Sequence, residues 1–319
     1  MIMDILVTFP AGDRHRRLLE EAGAGCSFTY KAVGDVTERD IENADIIIGN
    51  VPPSLLHCPK RLKYLMLESS GADAYTAPGI LAPGTLLTSA TGAYNLPVAE
   101  HGLAMTLTLL KKLHLYRDDQ LEGRWTDEGS VGSVAGATVI VVGLGEIGLH
   151  YAGMVKALGA HVIGVKRRAS ECPECVDELC TTDKLTDVIG RGDVVFSVLP
   201  GTPAVYHMYN DGMFSEMKKS AVFINVGRGS SVETAALCRA LKNGSIAAAG
   251  VDVFEEEPLS PDHEAWSIKN LLITPHKAGG YKHAATMDNV ANITASNLRA
   301  YLSGREPANI IDFGTGYKK

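Results

Sequence analysis

Short apolar runs alternate with polar, helix-compatible stretches along the N-terminal part of the chain. The runs that predict strands lie at 2–9, 44–49, 62–67 and 85–88, and the helical stretches lie at 13–22 and 37–43. Strands that follow one another through helices usually run parallel, with the helices covering the sheet. The pattern therefore predicts a parallel α/β sheet.

A second and longer alternating series begins after Gly136. Helical segments are predicted at 97–118, where Pro97 suits a first helical turn, and at 281–302. If the last helix returns to the first sheet, the N-terminal domain is discontinuous. We therefore predict two doubly wound α/β domains, with 97–282 inserted into a domain formed by 1–96 and 283–319. The strand-like runs of the second series lie at 138–142, 161–165, 194–199, 221–226, 247–251 and 271–274.

Composition and charge are those of an ordinary globular protein. The chain has 319 residues, of which 45% are hydrophobic and 21% charged, and this length is enough for two domains. Lys and Arg total 30 against 37 Asp and Glu, which gives a formal net charge of −7 and disfavours nucleic acid as a partner. The N-terminus lacks the features of a signal peptide, and the charge-free stretch 129–145 is broken by Gly and Ser. We expect a soluble, cytoplasmic protein without a membrane partner.

Three of the six cysteines, Cys172, Cys175 and Cys180, are close together in the sequence. Without a signal peptide, reduced thiols are expected rather than a disulfide framework. The spacing could begin a zinc site, but no fourth Cys or His follows at ligand spacing. We expect a surface loop and no metal, with zinc binding as the open alternative.

A glycine motif follows the first strand of the second series. Gly143, Gly145 and Gly148 form the pattern G-x-G-x-x-G, and a helical pattern comes next. In this context the glycines permit a tight turn, the approach of a pyrophosphate to the backbone, and close packing of helix on strand. Free amides at the helix N-terminus, at Glu146 and Ile147, then hold the phosphate charge. The motif predicts a dinucleotide-binding site, and a glycine turn without a ligand is the alternative.

A basic cluster, Lys166, Arg167 and Arg168, follows the next predicted strand. In NAD-binding domains an acidic residue near this spacing accepts hydrogen bonds from the adenosine ribose. Three cations at that place suit a ribose 2′-phosphate instead. We therefore favour NADP(H) as the cofactor and leave NAD(H) open, and a solvated basic turn is the alternative interpretation.

Three polar residues, Arg228, Glu257 and His276, lie just beyond the ends of predicted strands of the second series. The carboxyl ends of parallel strands converge on the ligand crevice of a doubly wound sheet. Each residue alone has a structural interpretation, because His is often a satisfied interior group and Arg and Glu usually face solvent. Their joint placement predicts that they meet at a ligand site.

With these motifs the chain resembles the D-isomer-specific 2-hydroxyacid dehydrogenase family, which includes glyoxylate and hydroxypyruvate reductases. The likeness covers nearly the whole chain, and the basic cluster is most similar to that of the NADP-using reductases. The resemblance implies a Rossmann cofactor domain at 97–282, inserted into a flavodoxin-like substrate domain. Besides the glycine motif, the stretches that carry it are 95–100 (NLPVAE), 199–202 (LPGT), 225–229 (NVGRG), 252–258 (DVFEEEP), and Trp266 ahead of 274–276 (TPH).

The resemblance implies a role for each of the three polar residues. Arg228 binds the 2-oxo acid and polarises its carbonyl, a bidentate task that suits a guanidinium. His276 protonates the carbonyl oxygen as hydride arrives from the nicotinamide, which suits a side chain that titrates near neutral pH. Glu257 orients the imidazole and stabilises its charged form. A Gln in place of Glu257 would have suggested the related formate dehydrogenases.

The resemblance also implies contacts in loops. The backbone amides of Ser70, Gly71 and Ala72 match the family's site for the substrate carboxylate. The segment 101–125 resembles the helix and arm through which the family forms homodimers, and packing within one chain is the alternative. Cofactor contacts are implied for Leu199, Pro200, Thr202, Val226 and Asp252, the last near the nicotinamide carboxamide.

The expected function is reduction of a small 2-oxo acid, such as glyoxylate or hydroxypyruvate, to the D-2-hydroxy acid with NADPH. A cofactor-sensing regulatory binding protein is the alternative, because corepressors of the same fold retain the same triad. Lys277 departs from the family, where apolar or small residues are more usual, and its ammonium would disfavour a charged His276 only if the two side chains meet. The substrate itself depends on pocket side chains, among them Tyr94 and Trp266, that spacing does not define.

Overall fold

The computed structural model describes residues 2–280, 284–314 and 316–318. The chain forms two compact units, which we call unit one (Met1–Tyr94 with Tyr281–Lys319) and unit two (Asn95–Gly280). The first predicted domain crossing, between 96 and 97, comes two residues after the crossing in the structure. The second predicted crossing, between 282 and 283, lies outside the described residues.

Both units contain α-helices, which are numbered in chain order. Predicted and observed bounds agree at α1, where both run from Asp13 to Ala22. The helices are α1 (Asp13–Ala22), α2 (Glu38–Asn43), α3 (Asn95–Leu110), α4 (Leu113–Leu121), α5 (Glu146–Ala157), α6 (Leu185–Ile189), α7 (Asp211–Ser215), α8 (Thr234–Lys242) and α9 (Ala284–Leu302).

The single helix predicted at 97–118 is wrong, because two helices, α3 and α4, occupy this region. Lys112 separates them with a left-handed φ of 55°. The returning chain satisfies the end of α3, since the amide of Gly132 donates to the carbonyl of Leu110 at 2.9 Å. A contact across twenty-two residues therefore interrupts a pattern that looks continuous locally. The start of the helix predicted at 281–302 falls on residues outside those described.

Unit one is built on a five-stranded sheet with the strand order β2-β1-β3-β4-β5, in which all pairs are parallel. This is the flavodoxin-like order, with its topological switch point between β1 and β3. Helices cover such a sheet on both faces, which explains why β3 consists of three fully buried isoleucines. The strands are β1 (Asp4–Val7), β2 (Ser27–Tyr30), β3 (Ile46–Ile48), β4 (Tyr64–Met66) and β5 (Leu86–Thr88).

Unit two is built on a seven-stranded parallel sheet. Its strands are β6 (Thr138–Val142), β7 (His161–Lys166), β8 (Glu178–Thr181), β9 (Val194–Ser197), β10 (Val222–Asn225), β11 (Ala248–Val251) and β12 (Leu271–Ile273). They lie in the order β12-β11-β10-β9-β6-β7-β8, so the Rossmann switch point falls between β6 and β9. Tyr151 on α5 stacks on Phe196 of β9 with ring centroids 3.6 Å apart, which packs the helix on the sheet.

A short antiparallel pair, β13 (Ile311–Asp312) and β14 (Tyr317–Lys318), lies near the C-terminus. None of the helices in the described ranges is long and apolar enough to cross a membrane. The two parallel sheets, one in flavodoxin order and one in Rossmann order, confirm the predicted fold class.

Candidate active site

The glycine motif lies in the turn between β6 and α5, next to the switch point of unit two. Gly145 is the N-cap of α5 and provides no side-chain cap, so the first amides of the helix have no partner within it. Gly148 packs so closely that a Cβ there would lie 2.1 Å from the carbonyl oxygen of Gly143. Only glycine fits this position. Uncapped amides above a glycine turn suit a pyrophosphate, so the loop fits a dinucleotide.

The basic cluster at residues 166–168 lies at the carboxyl end of β7. Lys166 is half-buried, and its Nζ donates to Ser170 Oγ at 2.9 Å. Arg167 and Arg168 are exposed, and neither has a hydrogen-bond or ion-pair partner in the part of the chain that the structure describes. Both guanidinium groups are therefore open to an anionic ligand.

Glu257 and His276 are in contact, with Glu257 Oε2 2.6 Å from His276 Nδ1. The other carboxylate oxygen, Oε1, accepts from the amide of Phe254 at 2.9 Å, which fixes the plane of the carboxylate. An ionised carboxylate only accepts, so Nδ1 donates to Glu257, and Nε2 is the imidazole nitrogen that Glu257 leaves open. The pair therefore determines which imidazole nitrogen could exchange a proton with a ligand.

The two glutamates before Glu257 have different surroundings. Glu255 accepts from the amide of Thr234 at 2.6 Å and pairs with His207 Nε2 at 2.5 Å. Burial opposes its ionisation, but the hydrogen bonds from Thr234 and His207 outweigh this and lower its pKa. Glu256 is exposed. Of the three, only Glu257 binds His276.

The backbone at His276 is strained, with a left-handed φ of 52°. Such a conformation costs a non-glycine residue about 1–3 kcal/mol and persists only where the surroundings hold it. Asp252, 2% exposed, provides that support. Its backbone carbonyl accepts from the His276 amide at 2.7 Å, and its carboxylate accepts from the amides of Lys277 at 2.8 Å and Ala278 at 2.9 Å.

Arg228 follows β10 in a turn that packs against the loop carrying Glu257. A Cβ at Gly229 would lie 1.9 Å from the carbonyl oxygen of Phe254, so glycine allows these two loops to touch. The Arg228 carbonyl accepts from the hydroxyl of Ser231 at 2.8 Å, and Arg228 Nη1 donates to the Gly227 carbonyl at 3.1 Å. The half-buried guanidinium is thus held on a structured turn of unit two.

A loop with free amides follows β4 in unit one. The amides of Ser70, Gly71 and Ala72 donate to no acceptor within the described ranges. The Ser69 hydroxyl closes the loop by donating to the Gly71 carbonyl at 2.7 Å. Three successive free amides suit a carboxylate, as the resemblance implies.

Residues 103–278 match the family model described as D-isomer specific 2-hydroxyacid dehydrogenase, NAD binding domain. The chain belongs to the D-isomer specific 2-hydroxyacid dehydrogenase family. It is similar to glyoxylate/hydroxypyruvate reductase B of Shigella dysenteriae, with 32% identity over 304 residues that cover 89% of this chain and 92% of that protein. As a member of this family, it is an oxidoreductase that uses NAD(P), which confirms the prediction of an enzyme.

Solved structures of the 2-hydroxyacid dehydrogenase family have the same fold. A family protein from Aeromonas salmonicida is 28% identical with a TM-score of 0.87, covering 98% of this chain and 100% of that one. An NADPH-dependent glyoxylate/hydroxypyruvate reductase from Sinorhizobium meliloti, solved with NADP and sulfate, is 26% identical with a TM-score of 0.83. That match covers 99% of this chain and 100% of the other.

The remaining predicted cofactor residues of this dehydrogenase lie in unit two at strand ends or just beyond them. Leu199, Pro200 and Thr202 follow β9, and Val226 follows β10. These loops lie at the carboxyl ends of their strands, where this fold binds ligands. Their cofactor contacts stay a prediction.

Tyr94 and Trp266, which are predicted to line the substrate pocket, both donate hydrogen bonds, whereas the side chain of Lys277 donates none to the residues described. The Tyr94 hydroxyl donates to the carbonyl of Glu68 in unit one, beside the loop with free amides. Trp266 is 53% exposed, and its indole donates to the Ser260 carbonyl at 2.8 Å. The Lys277 side chain is exposed and has no partner in the described ranges.

The three clustered cysteines have separate surroundings. Cys172 Sγ lies 3.4 Å from the Val176 carbonyl, and Cys175 Sγ lies 3.8 Å from that of Leu149. Burial, together with nearby carboxylates, raises the pKa of Cys180. No group of three or more His, Cys, Asp or Glu side chains within the described ranges could hold a metal ion.

Sequence reasoning missed Asn50, which comes directly after β3 and its following glycine. Its Oδ1 accepts from the Glu68 amide at 3.2 Å and lies 3.4 Å from the Ser69 hydroxyl oxygen, so it supports the loop with free amides. The rule that pointed to Arg228 and His276, a polar residue just beyond a strand end, would also have identified Asn50.

Proposed function

We propose that this enzyme reduces small 2-oxo acids of the glyoxylate and hydroxypyruvate type to D-2-hydroxy acids with NADPH, and that His276 is the general acid. The observation that carries this proposal is the 2.6 Å contact of Glu257 with His276, with the second Glu257 oxygen fixed by Phe254. This arrangement directs one imidazole nitrogen to exchange a proton, as carbonyl reduction requires.

The contact between Glu257 and His276 determines which imidazole nitrogen gives its proton to the substrate in the proposed reaction. In its charged form His276 has N–H groups at both nitrogens, one donating to Glu257 and the other, at Nε2, available to the substrate carbonyl oxygen. Transfer of the Nε2 proton leaves a neutral ring that still donates to Glu257. The chemistry that a bound nicotinamide supplies is a hydride for the carbonyl carbon. In the reverse direction the neutral ring takes the proton from the 2-hydroxyl group.

Binding of the 2-oxo acid is assigned to cationic and amide donors. Arg228 offers a planar guanidinium that can bind two oxygens and polarise the carbonyl, which an ammonium cannot do with the same geometry. The free amides of Ser70, Gly71 and Ala72 are proposed to bind the carboxylate. Carboxylate recognition by both kinds of donor would make the enzyme specific for acids over simple aldehydes and ketones.

The basic cluster at residues 166–168 is the basis for our proposal that the enzyme prefers NADPH to NADH. Arg167 and Arg168 are exposed and have no partner among the described residues, and the related Sinorhizobium meliloti reductase was solved with NADP. We expect Arg167→Gln with Arg168→Gln to lower kcat/KM for NADPH about 10- to 100-fold, with little change for NADH, because the charge-assisted bonds to the 2′-phosphate are lost. Lys184→Gln, which removes an exposed cation 61% accessible in the same unit, is the control. Wild-type enzyme that prefers NADH would contradict the proposal.

A panel of 2-oxo acids, measured with both cofactors, tests the reaction. Cofactor oxidation with glyoxylate or hydroxypyruvate is the expected result, and hydroxypyruvate should give the D-enantiomer of its product. No turnover with any 2-oxo acid would favour the alternative, a cofactor-sensing binding protein of the same fold.

We also propose a homodimer formed through the segment 101–125. Leu113, Leu121 and Trp125 are 54%, 68% and 105% exposed, an unusual density of large apolar side chains on one helix and the residues after it. A second copy of the chain is the proposed occupant. Light scattering should show a dimer that Leu121→Glu with Trp125→Glu converts to a monomer. Leu158→Glu, at a 44% exposed leucine outside the segment, should leave the dimer intact.

A further inference from the structure

We propose that His101, on α3, is a positioning residue for His276: it holds Thr274 and Asp252, which in turn hold residues 274–278. This inference rests on the proposed role of His276 as general acid. Of the groups assigned to substrate or cofactor chemistry, His101 approaches Asp252, with 3.8 Å between Nε2 and Oδ1. Its proposed action is therefore through the loop and not on the reacting atoms.

Asp252 supports the loop formed by residues 274–278. Three consecutive amides, those of His276, Lys277 and Ala278, donate to this one buried residue. A non-glycine residue with a left-handed φ relaxes when such support is lost. The direction in which His276 presents its ring therefore depends on where the Asp252 carboxylate sits.

A chain of hydrogen bonds connects His101 to Asp252 through the hydroxyl of Thr274. The Thr274 hydroxyl donates its only proton to Asp252 Oδ1 at 2.5 Å. Thr274 Oγ1 can then only accept from His101 Nε2, which lies 3.0 Å away. His101 Nε2 therefore carries a hydrogen whether the ring is neutral or charged. The same nitrogen is 3.8 Å from Asp252 Oδ1, so a charged ring would also attract the carboxylate directly.

His101 lies on a helix that is firmly packed in unit two. Its helix, α3, is packed in unit two, where Gly102 lies against the ring of Phe196 and the Thr106 hydroxyl bonds to the Tyr151 hydroxyl at 2.8 Å. His101 thus ties the loop around His276 to a helix, which is a more rigid anchor than another loop. It also joins the first element of unit two to its last residues, since Ala278 lies just before Gly280.

A loss of this anchor should affect turnover more than binding. Proton transfer requires the acid to be held near the carbonyl oxygen, and a displacement of about 1 Å can cost about a hundredfold in rate. The dinucleotide-binding glycine loop follows β6 and does not depend on this hydrogen bond. The expected signature is a fall in kcat that is much larger than the change in affinity for NADPH, because Asp252 alone among the predicted cofactor residues belongs to this chain of hydrogen bonds.

The test compares His101→Leu with His101→Gln, whose amide can place an N–H near the position of imidazole Nε2. We expect Leu to lower kcat about tenfold or more and Gln to restore it to within about threefold of wild type. The Kd for NADPH should change by less than about threefold in both, because among the predicted cofactor residues only Asp252 belongs to this chain of hydrogen bonds. The loss in the double variant His101→Leu with Thr274→Val should be smaller than the sum of the two single losses, since both changes lie in one chain of hydrogen bonds.

Hydrogen exchange of the peptide covering 274–280 provides a readout that needs no substrate. Exchange at the amides of Lys277 and Ala278 should be about tenfold faster in His101→Leu and close to wild type in His101→Gln. Wild-type exchange in the Leu variant, or equal impairment of the Leu and Gln variants, would overturn the proposal. If wild-type enzyme reduces no 2-oxo acid, the proposed function fails, whereas exchange still decides whether His101 holds the loop.

Discussion

Replacing Glu257 by Gln removes a charge while keeping the shape of the side chain. The Phe254 amide needs an acceptor at the position of Oε1, so the Gln carbonyl oxygen is expected to take that place. The NH₂ group then faces His276 Nδ1, which must accept instead of donate. The charged imidazole, with hydrogens at both nitrogens, loses its partner and meets a donor. Proton donation from Nε2 should therefore become rarer.

The size of the effect follows from the geometry of the pair. A charge-assisted hydrogen bond such as the 2.6 Å contact of Glu257 with His276 contributes about 1.5–3 kcal/mol. The imidazole and carboxylate are 52% and 36% exposed, so we use the lower half of that range because water screens the pair. Since about 1.4 kcal/mol is tenfold in rate, kcat should fall about 10- to 40-fold.

Steady-state kinetics with hydroxypyruvate and NADPH measure this loss. The KM for NADPH should change less than about twofold, because Glu257 is not assigned to the cofactor. Glu256→Gln removes the same charge from the exposed neighbour and should retain wild-type kcat. Wild-type kcat in Glu257→Gln, or an equal loss in Glu256→Gln, would contradict this prediction.

Three further predictions concern the substrate, the charge beside the acid and the stability of unit one. Arg228→Lys should raise the KM for the 2-oxo acid about tenfold and lower kcat, because an ammonium lacks the planar fork; normal steady-state kinetics would contradict this. Lys277→Met should leave the pH–rate profile unchanged, because the exposed ammonium has no partner among the described residues; a shifted profile would show that it acts on His276. Burial opposes ionisation of Asp45, but hydrogen bonds from Arg61 and other donors outweigh it and lower its pKa to about 2. Asp45→Asn should therefore reduce the free energy of unfolding by about 1 kcal/mol at neutral pH, a difference that fades as pH falls through about 4 to 2. Denaturant unfolding measures it, and a difference independent of pH would be the contrary result.

Strands buried on both faces were the easiest elements to predict. The run 138–142 is continuous and apolar, and β6 occupies the same residues. The strands β2 and β8 were missed because they are the edges of their sheets and are only partly buried. Polar residues such as Ser27 and Glu178 are tolerated there, so no apolar run marks the strand. The break at Lys112 was missed for a different reason, since a distant segment satisfies the end of α3.

The sequence predicts which side chains form the candidate site, but it does not predict which of them bind to each other. Strand-end placement pointed to Arg228, Glu257 and His276, yet no rule of spacing says which of the three consecutive glutamates meets the imidazole. The link between His101 and Thr274 spans 173 residues, and only the folded chain brings those side chains together. The cytoplasmic location, the absence of nucleic acid partners and the domain roles stay predictions from the sequence.

The most direct test of the role of His276 is the turnover of His276→Ala with hydroxypyruvate and NADPH, measured together with NADPH affinity. We expect kcat to fall about 10²- to 10⁴-fold, the contribution of a general acid, while the Kd for NADPH stays within about twofold of wild type. A variant that retains wild-type turnover would show that His276 is not the acid and would contradict the proposed mechanism.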